Sequence, residues 1–103
     1  MYVLNLWHAV PDFTAWKWVF DTDPLDREGS GVLRYTLTRN TDDEHLVTGH
    51  LLFDSLDEAE AFAGRLQELW NGPGRDVIED PGLTITEVVE EKSFGREAGR
   101  RAA

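Results

Sequence analysis

Hydrophobic residues alternate with other residues along four segments of the chain, and they recur at helical spacing along two more. The alternation at period two predicts strands over residues 1–8, 32–39, 45–54 and 83–90. The helical spacing predicts one amphipathic helix over residues 12–22 and a second between residues 55 and 72. The elements therefore follow one another in the order β-α-β-β-α-β.

Residues typical of helix ends delimit both predicted helices. Asp12 precedes the first helix, where its carboxylate can accept a hydrogen bond from a backbone amide of the first turn. Ser55 and Glu58 have the spacing of a capping box at the start of the second helix. Gly72 and Pro73 are residues that end a helix, so they close the second one.

This order of elements predicts the fold class. Right-handed crossovers place both helices on one face of a four-stranded antiparallel sheet, which is the ferredoxin-like α+β fold. A chain of 103 residues is long enough for one such domain. We expect the domain to cover residues 1–92 and the charged segment 93–103 to be a flexible tail.

The alternation also divides each strand between the two faces of the sheet. The face toward the helices is nearly all apolar, whereas the other face mixes apolar and polar residues. That mixed face is less polar than a face exposed to water normally is, and a second copy of the chain packed sheet to sheet would cover it. We therefore expect a homodimer that forms an α+β barrel. The residues expected at its interface are Asn5, Trp7, Arg34, Thr36, Thr48 and His50.

The polar members of that interface allow two interpretations. Arg34 and His50 either hydrogen-bond across the seam, or they border a cavity in which a small anionic ligand lies against Arg34. The first interpretation is the simpler one, because buried polar groups generally find hydrogen-bond partners.

Composition narrows the possible partners and locations. The chain has 20 acidic and 10 basic side chains, a net charge of -10, which disfavours nucleic acid and anionic membranes as partners. It has no cysteine, so disulfides and thiolate chemistry are excluded. No segment approaches the ~20 apolar residues of a membrane span, and we expect a cytoplasmic protein. The three histidines lack the spacing of a metal site, so no metal is expected.

The first strand–helix junction resembles that of a known group of proteins. Its pattern is His8-x-Val10-x-Asp12-Phe13-x-x-Trp16-x-x-x-Phe20-Asp21, and further matches follow at Gly31-Val32, at Arg39 and over residues 53–59. Over roughly residues 2–91 the chain is similar to the small dimeric α+β barrel proteins related to antibiotic-biosynthesis monooxygenases.

This resemblance implies two ferredoxin-like subunits packed sheet to sheet, with a pocket between each sheet and its own helices. Members of the superfamily include cofactor-independent oxygenases of aromatic polyketides, haem-degrading enzymes and many proteins of unassigned role. The haem-degrading pattern has an axial histidine after a tryptophan of the second helix, but no histidine follows Trp70. The haem-degrading branch is therefore not expected, and no cofactor is expected.

His8 is the residue with the clearest chemical potential. It ends the first strand on the helix side, where a neutral imidazole could take a proton from a phenolic substrate, with Tyr35 beside it. The alternative is that His8 caps the strand end. The residues expected to line the pocket are Tyr2, Leu6, Trp16, Phe62 and Trp70, although their helical or strand periodicity is equally that of core residues. Two functions stay open: a monooxygenase-like enzyme acting on an aromatic small molecule, and a non-catalytic homodimer that binds a small molecule or is purely structural.

Overall fold

The computed structural model describes residues 1–102, which form four strands and three helices. A short 3₁₀ turn, Pro73–Asp76, precedes the last strand. In chain order the elements are β1 (Tyr2–Ala9), α1 (Phe13–Asp21), β2 (Arg34–Arg39), β3 (Leu46–Phe53), α2 (Leu56–Asn71), β4 (Glu79–Glu87) and α3 (Gly95–Ala102).

The four strands form one antiparallel sheet in the order β2-β3-β1-β4. In the register of the two central strands Tyr2 lies opposite Phe53 and Leu6 lies opposite Gly49. This is the strand order that two right-handed β-α-β crossovers produce. The predicted ferredoxin-like α+β fold is confirmed.

Two strands begin at different places from those that the alternation predicts. β2 begins at Arg34, so the preceding residues are free of the strand's pleat: Val32 is buried in the core, while Leu33 is half exposed. β4 begins at Glu79, and its pairing with β1 is irregular opposite Trp7 and Ala9. A proline is tolerated within β4 because this strand lies at the edge of the sheet.

Both long helices begin with the caps that the sequence predicts. The Asp12 carboxylate accepts a hydrogen bond of 3.1 Å from the backbone amide of Ala15 at the start of α1. The Ser55 hydroxyl accepts a bond of 3.1 Å from the backbone amide of Glu58 and donates one of 3.1 Å to its carboxylate. These bonds satisfy amides that have no partner within the helix.

The two helices lie at different distances from the sheet. Helix α2 lies close against β1, β3 and β4, whereas α1 stands farther away. The small residues Ala59 and Ala63 face the sheet in α2, and Phe62 and Leu66 fill the core beside them. In α1 only Trp16 is buried. The wider separation of α1 leaves space beneath it.

The face of the sheet without helices carries a polar network. The Asn5 side-chain amide donates to the Thr86 hydroxyl at 3.0 Å, and its oxygen accepts from Nδ1 of His50 at 2.8 Å. Thr36 pairs with His50 in the register of β2 and β3, and the hydroxyls of Thr48 and Thr38 are hydrogen-bonded.

Two further residues of this face are Arg34, on the edge strand β2, and Trp7, on the central strand β1. The Arg34 guanidinium is 3.4 Å from the carboxylate of Glu91. The Trp7 ring lies on the backbone of Gly82, where a Cβ would clash with the indole, and Trp7 is 45% exposed. Polar groups and an exposed aromatic ring thus share one open surface.

The C-terminal segment contains α3, and the last residue, Ala103, lies outside the described residues. That the tail from Ser93 is flexible stays a prediction. Within the described residues no helix combines the length and the apolar character that crossing a membrane requires.

Candidate functional site

A cavity of about 80 Å³ lies between the helix-facing side of the sheet and the two long helices, and it opens to solvent. Its floor comes from β1 and β3, its walls come from α1 and α2, and two loops complete it. Apolar side chains dominate the lining. The residues contributed by the regular elements are Leu6, His8, Trp16, Val19, Phe20, Leu51, Phe62, Leu66, Leu69 and Trp70.

His8 is the polar group at the centre of this apolar site. The pleat of β1 directs its side chain toward the helices, and the residue is 4% exposed. Its ring centroid lies 5.0 Å from that of Trp16 and 6.1 Å from that of Trp70, with both rings steeply inclined to the imidazole. The two helices therefore hold His8 between one tryptophan each.

Burial makes this histidine a neutral residue. Loss of solvation lowers the pKa of the imidazole from 6.5 to about 4, and a weaker interaction with the residue's own backbone acts in the raising direction. Nδ1 is buried without a hydrogen-bond partner. An unsatisfied buried polar atom costs about 1–3 kcal/mol, and a ligand hydroxyl or a water molecule in the cavity would remove that cost.

Arg27 is a cavity residue that the sequence pattern does not reveal. Its Nε is 3.3 Å from the Asp23 carboxylate, and Nη1 donates to the backbone carbonyl of Phe20 at 3.0 Å, at the end of α1. The guanidinium also lies 3.9 Å from the centroid of the Phe20 ring. The i,i+4 spacing of Asp23 and Arg27 was the available signal, but the segment lacks a period that would direct either side chain inward.

The predicted site residues divide into two groups. Leu6, Trp16, Phe62 and Trp70 line the cavity together with His8. Two tyrosines predicted beside them lie elsewhere. Tyr2 packs against the larger core cluster, and Tyr35 is 43% exposed with its ring 5.4 Å from that of Phe20. Neither tyrosine is among the residues that line the cavity.

The arrangement provides one neutral hydrogen-bonding group within an apolar space. The charge of Asp23 balances that of Arg27, so this ion pair adds little net charge to the wall of the cavity. An engineered cavity of about 150 Å³ holds benzene, so a cavity of about 80 Å³ admits a ring only if part of the ring occupies the mouth. Among the described residues, no group of three or more acidic or histidine side chains could hold a metal ion.

Comparisons with known proteins identify relatives in fold. No protein-family model matches the sequence, and no curated protein matches it. The structure is similar to that of SnoaB, a cofactor-independent oxygenase from Streptomyces nogalater. That likeness has 16% identity and a TM-score of 0.68, and covers 87% of this chain and 94% of that chain.

Two other solved structures give comparable values. A candidate antibiotic biosynthesis monooxygenase from Chloroflexus aurantiacus has 17% identity, a TM-score of 0.64, and coverage of 91% of this chain and 98% of that chain. A dimeric ferredoxin-like protein from an uncultured marine organism has 13% identity, a TM-score of 0.63, and coverage of 88% and 97%. At these identities the likeness shows the fold, which is the fold that the resemblance implies.

Proposed function

We propose that the protein is a monooxygenase-like enzyme that acts on an aromatic small molecule without a bound cofactor. The observation that carries this proposal is the apolar cavity that reaches a neutral, buried His8 whose Nδ1 has no partner. The similarity in fold to a cofactor-independent oxygenase supports it. A phenolic ring in the cavity would give Nδ1 the hydrogen bond that the protein itself does not provide.

In this proposal His8 takes the proton of the substrate hydroxyl. The resulting phenolate is electron-rich and can react with molecular oxygen, one atom of which enters the product. The other oxygen atom leaves as water with the hydroxyl proton taken by His8 and the one hydrogen of the oxidised ring carbon, so that the phenol becomes a quinone. Because the pKa of His8 is only about 4, the transfer from an ordinary phenol is uphill. The imidazolium–phenolate pair that forms in a low-dielectric cavity offsets part of that cost.

The role predicted for Tyr35 stays a prediction, and the proposed step does not depend on it. The ring of Tyr35 lies behind Phe20 and 4.9 Å from the Arg27 guanidinium. Arg27 lines the cavity itself, so its charge can stabilise a developing phenolate even though Asp23 balances it in the empty site.

Oxygen uptake with a panel of hydroxylated aromatic compounds tests the enzyme hypothesis. We expect uptake by the wild type, and a loss of about 100-fold or more in kcat/KM in His8→Ala. His45→Ala is the matched control, because His45 is an exposed histidine in a turn. Equal activity of His8→Ala and wild type would contradict the proposed role of His8.

A non-catalytic function is the second candidate, and the small size of the cavity favours it. In that case phenolic compounds would bind without any uptake of oxygen. Isothermal titration calorimetry alongside the oxygen measurement separates the two functions: binding with uptake indicates the enzyme, and binding alone indicates a carrier or sensor.

We also propose that the chain forms a homodimer through the face of the sheet without helices. The dimeric state of a protein with the same fold supports this proposal, as do the exposed Trp7 and Leu46 on that face. The Asn5–His50 network would then lie at the seam. A cytoplasmic location stays a prediction.

Sedimentation velocity tests the homodimer. We expect a dimer at micromolar concentration, and a monomer for Leu46→Glu, which places a charge on the open face. Trp18→Glu is the control, because Trp18 is 71% exposed on α1, away from that face. A monomeric wild type would contradict the proposal.

A further inference from the structure

The indole of Trp70 lies between two spaces. On one side is the cavity that contains His8. On the other side is a surface groove of about 390 Å³ between α2 and β4. Among the described residues Trp70 is the one that lines both. The remaining lining residues of the groove are Gln67, Asn71, Pro81, Gly82 and Leu83.

Neighbouring residues of the sheet show how close the two spaces are. Leu6 of β1 lines the cavity, and its cross-strand partner Leu83 of β4 lines the groove. One pair of adjacent strands therefore forms the floor of both spaces. Residues such as Ala63 and Phe62 already set the distance between the backbone of α2 and the sheet. Above the floor, the separation of the two spaces therefore depends on the side chain of Trp70.

The packing of Trp70 fits the role of a partition. The described core has two hydrophobic clusters, one that contains Phe53 and one that contains Val47. Trp70 is the one partly buried hydrophobic residue that packs against both. Its ring plane is inclined by 87° to that of His8, at a centroid distance of 6.1 Å. The indole thus closes the cavity directly beside the imidazole instead of filling a distant part of the core.

We propose that Trp70 determines ligand specificity by closing the His8 cavity against the groove, so that a single aromatic ring is accepted and a fused two-ring compound is rejected. This inference rests on the proposed function for the presence of a ring at His8. Without the indole, the apolar cavity would continue into a groove that carries the uncharged amides of Gln67 and Asn71. Longer ligands would then fit along the combined space.

Binding of phenol and 2-naphthol to the full chain, measured by isothermal titration calorimetry, tests the inference. We expect the wild type to bind phenol about tenfold more tightly than 2-naphthol. The larger apolar area of 2-naphthol would by itself favour the opposite order. Trp70→Ala is expected to have the opposite preference and to bind 2-naphthol about tenfold more tightly than phenol. Leu69→Ala is the control, because Leu69 lines the cavity but not the groove, and it retains the preference for phenol.

A wild-type protein that prefers 2-naphthol would overturn the inference. An equal change of preference in Trp70→Ala and Leu69→Ala would also overturn it, because cavity volume alone would then explain selectivity. If the alanine variant does not fold, Trp70→Leu replaces it, since leucine keeps the site apolar while leaving a gap on the groove side.

A second measurement needs no ligand. The pKa of His8, followed by NMR, is expected near 4 in the wild type and in Leu69→Ala. In Trp70→Ala or Trp70→Leu water from the groove reaches the imidazole, so the pKa of His8 rises toward 6.5. An unchanged pKa in a folded Trp70 variant would overturn the partition. Phenol that binds to none of these proteins would instead contradict the proposed function, so the two failures are distinguishable.

Discussion

Helices α1 and α2 cover the same face of the sheet, but they pack against it in different ways. In α2 the small Ala59 and Ala63 let the helix lie close, and Phe62 is buried between them. In α1 the bulky Trp16 is the one buried residue, and the helix stands farther from the strands. The cavity around His8 occupies the space that results. Helix α2 therefore supplies the closer packing, whereas α1 leaves a space between itself and the sheet.

The largest expected effect is on core packing. Phe62→Ala should lower the free energy of unfolding by about 3–5 kcal/mol, because it removes a buried ring from the larger hydrophobic cluster. Trp16→Ala should cost about 1 kcal/mol less than Phe62→Ala, because Trp16 lies in the smaller hydrophobic cluster, on the helix that stands farther from the sheet. Urea denaturation measures both values, with the exposed Gln67→Ala as a control that stays within about 0.5 kcal/mol of wild type. A greater loss for Trp16→Ala would show that α1 contributes as much to the core as α2 does.

Acid pH should act on α1 before it acts on α2. The folded pKa of His8 is about 4, below its ordinary 6.5, so the folded state binds fewer protons than the unfolded state between these values. The contribution of neutral His8 to the stability of the folded state is therefore fully present above pH 6.5, and it is lost as the pH falls through 4. The difference corresponds to about 3 kcal/mol.

Urea denaturation between pH 4 and pH 7 measures this dependence, and His8→Leu isolates it from the carboxylates. The wild type should lose about 3 kcal/mol more than His8→Leu over that interval. Amide exchange should accelerate in α1 first, since a protonated His8 draws water into the cavity. Parallel pH profiles of the two proteins would show that His8 is not buried as described.

The helix caps should separate local from global stability. Ser55→Ala should lower the global free energy of unfolding by about 1 kcal/mol, because α2 is part of the main core. Asp12→Ala removes an equivalent bond of 3.1 Å from α1, but its effect should be confined largely to the exchange of α1 amides. Hydrogen exchange by NMR checks both. A global effect of equal size from Asp12→Ala would show that the two helices unfold as one unit.

The smallest expected effect concerns the surface of α1. Lys17 and Asp21 form an exposed i,i+4 ion pair with an N–O distance of 2.6 Å. Lys17→Ala should change the free energy of unfolding by about 0.5 kcal/mol or less, because solvent and salt screen such pairs. Thermal unfolding at low and high salt measures the change. An effect above about 1 kcal/mol would show that this exposed ion pair contributes more to stability than screening by solvent and salt allows.

The fold was predictable because its signals are periodic. Alternation assigned each strand to its two faces, and the caps at Asp12 and Ser55 marked both helices. The same alternation placed Tyr35 on the helix side of β2, where it contacts Phe20. A face is not a position along the sheet, however, and β2 is an edge strand outside the cavity. The alternation therefore predicted correctly the face of the sheet on which Tyr35 lies, but it did not predict how far Tyr35 lies from His8.

Other features depend on segments in which no period operates. Val32 turns into the core because β2 begins two residues later, at Arg34, and this start was not encoded in the alternation. The loop after α1 contains Asp23 and Asp26 with φ values of 54° and 50°, a left-handed conformation that is uncommon for residues other than glycine. That loop directs Arg27 into the wall of the cavity. Local hydrogen bonds hold this geometry, since the carboxylates of Asp23 and Asp26 accept from the backbone amides of Arg27 and Gly29, and no hydrophobic period marks such bonds.

The arrangement of tryptophans around His8 has a spectroscopic consequence. Trp16 and Trp70 lie on either side of the imidazole, whereas Trp7 and Trp18 are exposed to solvent. The emission of the first pair is therefore expected at shorter wavelength than that of the second pair. Protonation of the imidazole or entry of a ring between the inner indoles changes only the short-wavelength component. The protein thus contains its own optical reporter of the state of the cavity, with a reference signal in the same chain.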